Sequence, residues 1–81
     1  MVNLGVNSEG IAFEVALEII GQKRRPVMVM MYEEKAKENP SKAYIDFCKN
    51  VINAIDEFQE SLKPTDLDVI SMVVSGKGLP I

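Results

Sequence analysis

Tyr44, Cys48, Val51, Ile55, Phe58 and Leu62 follow one another at spacings of 4, 3, 4, 3 and 4. An unbroken run of such spacings keeps one stripe of a helix apolar over several turns. Ile45 and Ile52 flank it on one side and Phe47 and Ala54 on the other, while Lys49, Asn50, Asn53, Asp56, Glu57 and Glu60 form the opposite, polar face. The pattern predicts a long helix over residues 41–62, ended by Lys63-Pro64. It also predicts that Val51 and Ile55 are enclosed.

Upstream, residues 11–20 are apolar except for Glu14 and Glu18, which lie one helical turn apart. A helix over residues 9–20 follows, with Asn7 or Ser8 as N-cap and Gly21 as C-terminal cap. The basic residues Lys23, Arg24 and Arg25 come next, where positive charge suits a helix C-terminus. Residues 27–32 are apolar without a readable period, and the strong helix formers of 33–38 follow them. Pro26 fits the first turn of a helix, and Glu33 and Lys37 form an i,i+4 pair in the favourable order. A helix over residues 27–38 is therefore expected, broken by Asn39-Pro40. A fourth begins at a Thr65 cap, with Asp68 completing a capping box, and closes at Gly76.

These elements predict an all-α fold: a single small domain, residues 1–81, made of a bundle of three to four helices with a long central helix. The competing arrangement is a small α/β fold with strands over residues 2–6, 27–32 and 68–74 around two helices, since short apolar runs also suit buried strands.

Composition narrows the chemistry. The chain of 81 residues is 47% hydrophobic and 26% charged, with a net charge of -3, no His and a single Cys. The lack of His removes Ser-His and Cys-His nucleophile pairs, and one Cys without His leaves no multidentate zinc site. Cys48 has no partner for an internal disulfide, and it falls on the apolar seam as a buried thiol. No basic stretch precedes an apolar core at the N-terminus, and residues 11–20 are too short and too charged to span a bilayer, so a soluble cytoplasmic protein without membrane attachment is expected.

Each remaining candidate site has a plainer reading. Glu14 and Glu18 mark the water-facing stripe of their helix, because no further ligand type accompanies them. Lys23, Arg24 and Arg25 lack interleaved aromatics in an acidic chain, which argues against nucleic acid as a partner. Gly76-Lys77-Gly78 lacks the spacing and the hydroxyl residue of a phosphate loop. No catalytic, cofactor-binding or metal-ligating residue is assigned, and no cofactor is expected.

The apolar surplus is more informative. The first helix is apolar over most of its circumference, the second begins apolar all round, and Met28, Met30 and Met31 cluster there. A domain this small buries only about 60% of its unfolded surface alone, and a second copy is the simplest cover for the rest. The sequence therefore predicts a non-enzymatic, self-associating interaction module, a homodimer of the small bacterial or phage-type regulator or adaptor kind. Its candidate interface is Ile11, Phe13, Val15, Leu17, Ile19, Met28, Met30 and Met31. The competing expectations are a small acidic inhibitor or immunity-type protein that covers a larger protein target, and a nucleic-acid-binding regulator.

Overall fold

The computed structural model describes residues 8–77. Four helices account for most of them: α1 (Ser8–Gln22), α2 (Arg24–Lys35), α3 (Lys42–Ser61) and α4 (Leu67–Ser75). The fold is all-α, a small helical bundle with α3 as its longest member. Residues 27–32 and 68–74, the internal strands of the α/β alternative, are helical, and no strand occurs among the described residues. The expected strand over residues 2–6 and the Asn7 cap lie outside them.

α1 and α2 are almost one helix. Lys23 alone separates them, its N–H turning back to the Ile20 carbonyl at 3.1 Å. Pro26 explains the break. It has no N–H for the Gln22 carbonyl four residues earlier, and its ring crowds that carbonyl. Gly21 therefore does not cap α1 as expected but lies inside it. α2 correspondingly begins at Arg24 and ends at Lys35, three residues earlier at each end than the apolar pattern indicates.

The α2–α3 connection is held by Glu34. Its Oε2 accepts the Ser41 N–H at 2.9 Å, and its Oε1 pairs with Lys37 Nζ at 2.9 Å. Ser41 in turn caps α3, its Oγ accepting the Tyr44 N–H at 3.2 Å. Lys37 thus pairs with Glu34 rather than in the expected i,i+4 pair with Glu33, because the helix has already ended at Lys35. Thr65 is not the cap of α4. Asp66 takes that position, and its carboxylate accepts the Lys63 N–H at 2.8 Å, tightening the turn after Pro64. At the other end, Gly76 adopts φ 75° and Lys77 N–H reaches back to the Met72 carbonyl, the left-handed closure that favours glycine.

The body measures 58 × 20 × 20 Å. A helix with its side chains is about 10–12 Å across, so the short dimensions hold only two helices side by side. α3 packs along α2 and the neighbouring part of α1, while α4 packs on α1. The chain is in effect a hairpin of two broken rods, α1–α2 against α3–α4. Its core is split accordingly. Ala16, Ile20, Ile55, Leu62, Ile70 and Val73 are buried together among α1, α3 and α4 and the loop before α4. Met31, Cys48 and Ile52 are buried between α2 and α3.

Candidate interaction surface

Two rods can shield only the line along which they touch. The buried stripe of α3 runs through Cys48, Ile52 and Ile55, and the Leu62 cap continues it. It is rotated from the expected seam toward the Ile45 and Ile52 side. Val51 and Phe58 are consequently half-buried, and Phe47 and Ala54 are exposed. Val51, expected to be enclosed, is not.

The two edges of the hairpin differ in chemistry. With 3.6 residues per turn, Asp56 lies on one flank of the buried stripe and Phe47, Val51, Ala54 and Phe58 on the other. The polar edge is cross-linked between rods: Arg24 Nε lies 2.8 Å from Asp56 Oδ1. The Nε–H points off that line and makes no hydrogen bond, so the attraction is one of charge. Gln59, on the buried stripe between the rods, donates its amide N–H to the Leu17 carbonyl at 2.8 Å.

On the apolar edge, the polar link between α2 and α3 that is seen among the described residues is the Glu34–Ser41 contact at the turn. Met30 of α2 and Tyr44 of α3 line a shallow depression with Glu33, Glu34 and Lys37. The Tyr44 and Phe47 rings are tilted against each other, with centroids 6.4 Å apart. Phe47 is 57% exposed and Met30 is also exposed.

The residues expected at an interface are not gathered into one surface. Ile11, Val15 and Met30 are exposed. Phe13, Leu17 and Ile19 are half-buried against the α1–α3–α4 core, and Met28 against the α2–α3 core. Met31 is buried outright and belongs to that core. Phe47 and Tyr44 were missing from the expected set because a flank of a core seam reads as core. The stripe 44-47-51-54-58, again at spacings of 3 and 4, is the signal that marks a second apolar face beside the first.

Other sites offer less chemistry. An open depression at the α1–α2 junction includes Glu18, Gln22, Arg25, Val29 and Tyr32, where acid and base sit together. Lys35 Nζ lies 5.6 Å from the Tyr32 ring centroid, within cation–π range. Glu14 and Glu18 are both exposed, and Cys48 is a buried free thiol. Among the described residues no group of acidic, Cys or His side chains converges as a metal site, and no helix is long and apolar enough to cross a membrane. Ser41 N–H and Lys37 hold the Glu34 carboxyl below its ordinary value, in that order of strength. On the exposed surface of α3, Lys42 does the same for Asp46. No family model, curated protein or solved structure matches the chain.

Proposed function

We propose that the chain is a non-enzymatic protein-interaction module that works as a self-associated assembly, in the manner of a small regulator or adaptor. One observation carries this reading: among the described residues, as many large apolar side chains are exposed as apolar residues are buried. Phe47, Tyr32 and Ile11 are 57%, 55% and 49% exposed, and Val29, Leu67, Met72 and Val74 accompany them. Scattered exposed apolar residues are ordinary on a protein surface. Here they lie on a body only two helices thick, with no further layer among the described residues to cover them.

Two-helix hairpins that self-associate form four-helix bundles. Gel filtration coupled to light scattering at micromolar concentration tests the reading. A mass of twice 9.0 kDa or a larger multiple supports it, and a 9.0 kDa species at every concentration contradicts it.

A further inference from the structure

The apolar edge of α3 carries a pattern of small and large side chains. Along this flank, which also carries Tyr44 and Val51, the residues Ala43, Phe47, Ala54 and Phe58 alternate small and large at spacings of 4, 7 and 4. Ala43, Phe47 and Ala54 are exposed and Phe58 is half-buried. When two copies of such a helix lie antiparallel, residues whose numbers share a constant sum face each other. In one register Phe47 faces the partner's Ala54 and Phe58 faces the partner's Ala43, with the two-fold axis between Asn50 and Val51. Phe47 and Phe58 then each meet a small side chain, the condition for close interhelical packing at those positions, while Tyr44 and Val51 of the same flank fall opposite the partner's Glu57 and Asn50. Neighbouring registers set Phe47 against the partner's Phe58 or against its own equivalent.

Resting on the self-association proposed above, we infer that the partner is a second copy docked through this edge, α3 antiparallel to α3 about Asn50 and Val51. Matching of one surface to itself about a single point is what an isologous two-fold interface requires, and an unrelated partner has no need of it. The axis falls near the middle of Lys42–Ser61, so the two α3 helices overlap over nearly their whole length. Met30 and Tyr44, continuous with Phe47, extend the contact toward α2. Arg24, Asp56 and Gln59 are left where they are, tying the two rods of each hairpin together.

Site-directed cross-linking and association measurements test this. Asn50→Cys places thiols beside the axis, within reach of disulfide geometry, whereas Asp68→Cys on α4 places them at opposite ends of the assembly. Under mild oxidation Asn50→Cys should cross-link to a dimer, while Asp68→Cys and the wild type, with only Cys48, should not. Phe47→Asp and Ala54→Phe, at exposed positions where the hairpin tolerates change, should weaken association by at least about tenfold with helicity retained. Ile11→Asp should leave association unaltered. If Phe47→Asp loses helicity, the cysteine pair decides alone. A dimeric wild type that is broken by Ile11→Asp but not by Phe47→Asp, or that cross-links through residue 68 rather than 50, overturns the α3 interface and leaves self-association standing. A wild type that is monomeric throughout overturns both.

Discussion

A Cβ atom at Gly21 would lie 3.0 Å from the Gln59 amide nitrogen, and that absent methyl is what lets α3 approach α1. Gln59 uses the space to donate to the Leu17 carbonyl, 2.8 Å away and one turn before Gly21. A glycine inside a helix costs about 1 kcal/mol relative to alanine, and here the cost is offset by an inter-rod hydrogen bond worth about 0.5–1.5 kcal/mol. Gly21→Ala alone should therefore change stability little. In a Gln59→Ala background the same change should stabilise by about 1 kcal/mol. A double-mutant cycle by urea denaturation reads the difference.

Glu34 gives a pH-dependent lock on the α2–α3 turn. It is 8% exposed, the one buried charged residue among those described. Its folded carboxyl lies below the ordinary value of 4.5, chiefly through the Ser41 N–H and then Lys37. A depressed carboxyl stabilises the fold above the unfolded value, and that stabilisation fades as pH falls from 4.5 through the lower folded value. Wild type should thus be more stable than Glu34→Gln at pH 7, and the gap should close in acid. Denaturation of both proteins across that range checks it, and a gap that widens in acid contradicts the assignment.

The rotated stripe of α3 makes a graded prediction. Ile55 is 1% exposed, so Ile55→Ala should cost about 2–5 kcal/mol through lost burial and the cavity left behind. Val51→Ala, at a half-buried site, should cost less. Asn53→Ala, on the exposed face, should be neutral or slightly stabilising through helix propensity. Thermal melts of the three variants rank them. Equal effects at 55 and 53 would mean that the buried face is misplaced.

These cases also show what was legible in the chain. α3 was readable to within one residue at each end, because its apolar spacing and the flanking Pro40 and Pro64 are all local signals. Gly76 was readable because a left-handed residue favours glycine wherever it occurs. Gly21 misled for the opposite reason: its role is set by Gln59 on another helix, which no local pattern reveals. The phase of α3 was off by the width of one flank, since Phe47 and Ala54 are as apolar as the residues that are buried. Met31 was assigned to a surface because a run apolar all round has no phase at all, and only α3 chooses which side it covers. The exposed edge and the core are written in the same residue types, so the sequence supplies the surplus but not its location.

The central claim is that the layer missing from this hairpin is supplied by another copy, and the concentration dependence of thermal unfolding, followed by circular dichroism, tests it most directly. If association contributes to stability, raising the protein concentration about a hundredfold adds about 1.4 kcal/mol per chain. The midpoint should then rise by about 5–10 °C for a domain of this size. A midpoint that stays fixed across that range, with the helices intact, would mean that the hairpin stands alone with its apolar edge in water.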